Sequence, residues 1–443
     1  MQSNVKGFGF RGWMLLIYQF LAFLAFIVFT NWPMNILASE LPDIYGNPQS
    51  LSMIYTLCML GGIAIQLILS QFIGKVKSVK WLSHIFGIIT LAGALGVTLI
   101  PGGAVWTVCY VITCLFCSLY GMFSLGILVG QWFPRRKGTV MGIATFAFPI
   151  GNGLIGAFAA QIFKNMETTH ELNVTGAFLP YWIACVVGLI IGIIFITDYP
   201  EQCGAFRDND RSFTPEMAKG MMMEEIENRK TTVWKTGATL KCSQFWLITI
   251  PMGTLLMLSV GMMTQTNQII GTYPNLPFAG VMAAVMIFAC VGSGLLGLLD
   301  TKFGTKFAVL LSCIVMALSG VFGAIGGTIP TAISIVLLAV FMGAGSNFTV
   351  SAAAQYWRRE DFPSVFAVIN PVANILQCLG PMVIAATISV LPMNRLPFIV
   401  TAVIGVISVL LTLAFKPSKV KEADDAYRKA AGKPMDDVLV GRK

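Results

Sequence analysis

Apolar residues in this chain come in blocks long enough to cross a bilayer, separated by short polar turns. A helix needs about 20 apolar residues for that crossing, and twelve candidates run over roughly 12–38, 50–73, 81–100, 104–132, 139–163, 179–199, 243–270, 277–299, 307–327, 330–356, 363–389 and 395–415. The pattern predicts an all-α membrane protein of twelve transmembrane helices.

Charge orients the predicted spans. When the spans are threaded alternately, all of the 29 lysines and arginines except Lys164 and Arg395 fall on one side. Short basic loops stay on the cytoplasmic side, so both termini are expected there, in a multi-pass protein of the cell (inner) membrane. Composition agrees: with 56% hydrophobic residues, 11% charged residues and a mean hydropathy of +0.78, lipid must be part of the solvent. In a soluble domain a net charge of +9 would suggest nucleic acid. Here the cations flank apolar blocks, and the expected partner is anionic lipid rather than nucleic acid. Lys6 and Arg11 precede an apolar stretch without a short core and small-residue cleavage site, which reads as an uncleaved first span.

The predicted domains are 1–200, a six-helix bundle; 201–242, a charged central loop; 243–416, a second six-helix bundle; and 417–443, a flexible cytoplasmic tail. Within the central loop, Thr214-Pro215-Glu216 is a helix-start signal that predicts a helix from Pro215 to about Arg229. The halves repeat. QWFPRRKGTVMGIATFAFPIGNGLIG (131–156) answers QYWRREDFPSVFAVINPVANILQCLG (355–380), and FIGKVKSVK (72–80) answers LLDTKFGTK (298–306). Both return after roughly 225 residues and an even number of spans, as expected of two pseudo-symmetric bundles related by an axis along the membrane normal.

Twelve spans, this repeat, a long charged middle loop and LLDTKFGTK between spans eight and nine resemble the major facilitator superfamily. The family's loop pattern implies that Asp300 caps a helix and, with Lys302 and Lys306, latches the inward face together with Arg135 and Arg359 of the repeated loops. The first-half copy, Gly74-Lys75-Val76-Lys77, lacks the Asp. More narrowly, WFPRRKG (132–138), DYPEQCG (198–204) and QFW (244–246) are similar to the oxalate/formate antiporter group, akin to monocarboxylate carriers. Oxalate exchangers of that group hold a dianion with basic residues in spans eight and eleven; here those positions fall near Gly292 and near Ile369 or Asn370. No Lys or Arg lies in the interior of any predicted span, and burying a carboxylate without a cation costs several kcal/mol unless amides and helix ends replace its water. A compact dicarboxylate is disfavoured.

The candidate site must therefore be built from uncharged polar groups. Span one offers Asn31, Trp32 and Asn35 around Pro33; span four Tyr120; span five Asn152 among glycines; span seven Gln265; span ten Asn347; span eleven the stripe Asn370, Asn374 and Gln377. An amide is costly in lipid, so each faces a neighbouring helix or a cavity. In the family resembled, spans one, four, seven and ten line the cavity and two, five, eight and eleven flank it. The glycines around Asn152 read equally as close helix packing, and Gln265 with Gln268 as water-facing. For coupling, the titratable candidates near a span are Glu40 and Asp43, at the outer end of span one, and His84, read as an interfacial anchor at the inner end of span three. Cys114 and Cys117 share a helix face but read as buried thiols; no metal or cofactor is expected.

These readings converge on a monomeric secondary or exchange transporter, not an enzyme. It would move a small organic acid, a monocarboxylate or aromatic acid, by alternating access, with or without a proton or counter-substrate. Two alternatives stand beside it: a facilitator of a neutral solute, and a ligand sensor signalling through the central loop.

Overall fold

The computed structural model describes residues 7–72, 76–134, 136–169, 173–212, 214, 216–217, 220, 223, 231–342, 345–358 and 360–433, with backbone only at 70–72, 137–139, 163–169, 346 and 363. Every regular element among them is helical. Eleven helices are long and apolar enough to span: Gly9–Glu40, Pro48–Leu69, Val79–Leu99, Gly103–Trp132, Val140–Ile162, Val174–Phe195, Ser243–Thr264, Phe278–Phe303, Thr305–Ile325, Ser364–Ala385 and Pro392–Ala414. Thr328–Met342 and Asn347–Tyr356, bent 49° apart, complete twelve when taken as one span, the tenth. Observed and expected spans correspond one to one, because length and hydropathy alone fix where a chain can cross lipid. The helix expected from Pro215 lies largely outside the described residues.

The chain divides into two compact units. Unit 1 is Met1–Thr214 with Met263–Ile287; unit 2 is Pro215–Met262 with Phe288–Lys443. In unit 1 the first span is not a uniform helix. It widens into π-helical turns over Ile27–Asn31 and Pro33–Leu37, on either side of the point where Pro33 cannot donate a backbone hydrogen bond. Span four widens likewise over Ser118–Ser124. Span five begins as Lys137–Ala144 and resumes at Ala147 after a turn. Such irregular turns set side chains off the ordinary helical register, and they coincide with Asn31, Asn35 and Tyr120.

In unit 2, spans nine and twelve pack backbone to backbone. A Cβ on Gly320 would sit 2.2 Å from the Ala402 nitrogen, and one on Gly405 would sit 2.6 Å from the Ala317 Cα, so only glycine permits this approach. The sequence reading of the tail as flexible is corrected for 417–430. Lys416 leads into the helix Pro417–Ala430, which buries Val420, Asp424 and Arg428 along one face. Trp234, fully buried, stands edge-on to Trp357 and Tyr427 at 5.8 and 5.2 Å between ring centres. A charged composition suggested solvation; the i, i+4, i+8 spacing of the three buried residues is the signal for docking that composition hides.

Candidate functional site

The C-terminal end of span one, in unit 1, gathers several of the expected residues into one hydrogen-bonded network. Span seven breaks after Thr264, at Gln265, and resumes as the short helix Thr266–Ile270. In an unbroken helix the Asn267 N–H would donate to the Met263 carbonyl. Instead the Asn35 amide stands between them: its Nδ2 donates to Met263 O at 2.7 Å and its Oδ1 accepts from Asn267 N at 2.9 Å. A side chain inserted into the backbone ladder is a recognised cause of a helix kink. The Asn267 Nδ2 in turn reaches Ser39 Oγ at 2.7 Å and Glu40 Oε1 at 2.5 Å. Gln265, expected either at the site or facing water, is fully buried and donates to Ser52 Oγ at 2.9 Å while accepting from Gln268. Asn267, Ser39 and Ser52 were missed from sequence; the polar run Thr264–Gln268 after an apolar span was the available signal.

The other candidates in unit 1 are enclosed. Trp32 is fully buried against Phe158, Phe178 and Tyr181, with its Nε1 donating to Gly151 O at 3.2 Å. Asn31 Oδ1 accepts from the Thr30 hydroxyl at 3.1 Å, and Asn152 Nδ2 donates to Phe148 O at 3.0 Å. The glycines beside Asn152 do provide close packing: a Cβ on Gly151 would lie 2.9 Å from the Ile27 side chain, and one on Gly156 2.8 Å from the Ala279 Cα. Tyr120 lies beside Tyr18, ring centres 5.9 Å apart, and against Gly87. His84 lies in the second turn of span three. It is fully buried, 5.6 Å from the Tyr18 ring, and since its Nδ1 meets the Lys80 carbonyl at 2.5 Å, that nitrogen carries the proton.

Unit 2 differs. Asn370, Asn374 and Gln377 form a stripe along the helix Phe362–Ala385, each half-buried, as is Asn347 in Gly345–Tyr356. No described residue hydrogen-bonds their side chains. Pro371 and Pro381 lie within the same helix and each withholds a backbone N–H, which leaves further carbonyl acceptors beside the stripe. An unpartnered amide is disfavoured against lipid by several kcal/mol, so the stripe requires a polar surrounding. Among the expected amides, these four have side chains that no described residue engages.

At the basic end, the motifs that carried the resemblance do structural work. Asp300 Oδ1 accepts from the Thr305 hydroxyl at 2.7 Å across Gly304, whose φ of +88° suits glycine. Gln355 and Tyr356 accept from the Thr305 and Lys306 amides at 2.7 Å each, and Lys306 Nζ donates to Phe415 O at 2.6 Å. Lys302 stays exposed; Arg135 and Arg359 lie outside the described residues. Asp198 of DYPEQCG accepts from Ser78 Oγ (2.6 Å) and Lys80 N (2.7 Å) at the start of span three, where a carboxylate favours the helix dipole. Trp132 of WFPRRKG donates to Thr197 O at 2.8 Å, and Gln244 of QFW accepts from Lys416 N at 2.7 Å. These phrases fasten helix ends within their own units. Among the described residues no group of three or more His, Cys, Asp or Glu is placed to hold a metal.

The profile of the Major Facilitator Superfamily matches residues 15–355 and 246–440. The chain belongs to the major facilitator superfamily. That membership makes it a membrane transporter. Solved superfamily-fold structures align along nearly the whole chain. A bacterial homologue of the human lysosomal transporter Spinster, inward-facing and unoccupied, gives a TM-score of 0.59 at 12% identity, covering 98% of this chain and 100% of that one. A POT family transporter with a thioalcohol-conjugated peptide gives 0.63 at 14% identity over 92% and 96%; one with 5-aminolevulinic acid gives 0.63 at 14% over 93% and 98%. At such identities the likeness speaks for fold alone. No curated protein matches in sequence.

Proposed function

We propose that this transporter is a secondary carrier of a small organic acid, a monocarboxylate or aromatic acid, resembling the oxalate/formate antiporter group. It would work by alternating access as a monomer in the cell membrane, with both termini cytoplasmic. The reading rests above all on the half-buried stripe of Asn370, Asn374 and Gln377, with Asn347, whose side chains find no partner among the described residues. Amides at helical spacing can surround one polar group of a solute, while the apolar span around them suits the rest of it. The lack of Lys or Arg in the span interiors favours one carboxylate over two. The Asn35–Asn267 network is read as the outer gate, with Asn31, Trp32, Tyr120, Asn152 and Gln265 supporting its unit from within. His84, buried beside Tyr18, is the candidate proton carrier, and Glu40 is held at the gate. Asp300, Lys302 and Lys306 belong to the proposed inner latch.

The experiment is uptake into proteoliposomes of purified protein. Benzoate and lactate are compared with benzamide and lactamide under imposed pH and voltage gradients. Uptake of an acid that is saturable, exceeds that of its amide and is lost in Asn374→Leu supports the proposal. Amide uptake equal to that of the acid, indifferent to voltage, supports the neutral-solute facilitator, which the absence of intramembrane cations in the sequence favours.

A further inference from the structure

In each unit, chain leaving the sixth span of that half turns back to hold the loop after the fourth. In unit 1 the Arg136 N–H donates to Asp208 Oδ1 at 3.0 Å, and Asp208 is 1% exposed. In unit 2 the held loop is 357–361 and the returning chain is the helix Pro417–Ala430. Asp424 accepts from Trp234 Nε1 and Arg358 Nε, both at 2.8 Å, and from Arg428 Nε at 3.2 Å. Arg428 continues to Asp361 Oδ2 at 2.9 Å and to Glu360. Asp361 also accepts the Thr232 hydroxyl at 2.5 Å, and Tyr427 Oη donates to Ala238 O at 3.4 Å. Arg358, Asp361, Asp424 and Arg428 are each less than a tenth exposed.

The fastening has two consequences. Of the three buried residues of the helix, only Val420 is apolar, so charge and hydrogen bonding hold it down rather than an oily seam. Removing one partner from a buried charge cluster leaves the others uncompensated, so the contact is lost together rather than frayed. Loop 357–361 joins the bent span ten to span eleven, which carries the amide stripe.

We propose that the helix Pro417–Ala430 is a detachable strap. Docked, it fixes the loop between spans ten and eleven to the segment Thr231–Lys241 that leads into span seven; released, it frees both. This control does not depend on which solute is carried.

Two native thiols outside the spans provide the assay. Cys242, 7% exposed, follows the helix Thr236–Lys241 that Tyr427 touches; Cys203, partly exposed, lies on the corresponding chain after span six. Full-length protein in nanodiscs is reacted with a bulky hydrophilic maleimide, and each site is quantified by mass spectrometry. Asp424→Asn and Arg428→Gln are expected to raise the Cys242 rate at least about tenfold and to leave Cys203 unchanged, with Asp424→Glu closer to wild type. Trp234→Phe keeps the ring contacts but deletes one hydrogen bond, and is expected to raise the rate several-fold. Cys242 rates equal to wild type in all these variants would overturn the strap. So would equal acceleration at Cys203 and at the span-buried Cys313, since that outcome means general unfolding.

Discussion

Asn35→Leu tests the outer gate most directly. Leucine is of similar size and apolar, so the change removes the amide without opening a large cavity. It deletes the bonds to Met263 O and from Asn267 N, at 2.7 and 2.9 Å. A buried hydrogen bond contributes about 1–1.5 kcal/mol net, so two give about 2–3 kcal/mol. At about 1.4 kcal/mol per factor of ten, the closed outer end loses roughly 30- to 150-fold in population relative to an open one. Met263, 2% exposed, supplies only its backbone to this contact among the described bonds, so Met263→Cys is a reporter that leaves the gate chemistry intact. Alkylation of that thiol from outside, against the same protein without it, should accelerate by that factor in Asn35→Leu and by less in Asn35→Asp, which keeps one acceptor. An unchanged rate would mean that the Asn267 N–H closes directly onto Met263 O and that Asn35 does not hold the gate.

Three further outcomes are expected. Asn370→Leu and Asn374→Leu should each lower acid uptake at least about tenfold, with thermal unfolding in detergent within a few degrees of wild type, since no protein hydrogen bond is lost; normal uptake would remove the stripe from the site. Burial raises the Asp361 carboxyl above its ordinary value, against the opposing pull of Thr232 and Arg428. The folded state therefore holds this proton more tightly than the unfolded one, so its stabilisation is complete at acid pH and is lost as pH rises through the raised value. Asp361→Asn should flatten that slope in pH-dependent melting, and an undiminished slope would assign it to another group. Asp300→Asn keeps an acceptor for the Thr305 hydroxyl, so stability should change by less than about 1 kcal/mol; an altered balance between inward and outward accessibility would then report the latch charge itself.

The spans and the superfamily were legible in the sequence because lipid imposes length and apolarity on every crossing, and because the repeated loops mark the two halves. The candidate site was legible only as a set of residue types. Asn35 and Asn374 look alike in sequence: each is an amide within an apolar span, four residues from another amide. What separates them is a break in span seven at Gln265 that supplies Asn35 with two backbone partners, whereas nothing comparable among the described residues meets Asn374. A contact between residues more than two hundred positions apart has no local signature. The tail failed for a related reason: Asp424 and Arg428 read as solvated charges until Trp234, Arg358 and Asp361 stand beside them.

Spans nine and twelve are notched into each other from both sides, Gly320 and Gly323 receiving one and Gly405 the other. Two rods interlocked at three such points can neither slide nor roll, so the pair must travel through the transport cycle as a single stave. Whatever flexes in unit 2 is left to helices with built-in discontinuities: span seven at Pro251, span ten at its bend and span eleven at its two prolines. Variation that fills those notches should therefore disturb assembly rather than selectivity, while variation at the discontinuities alters turnover.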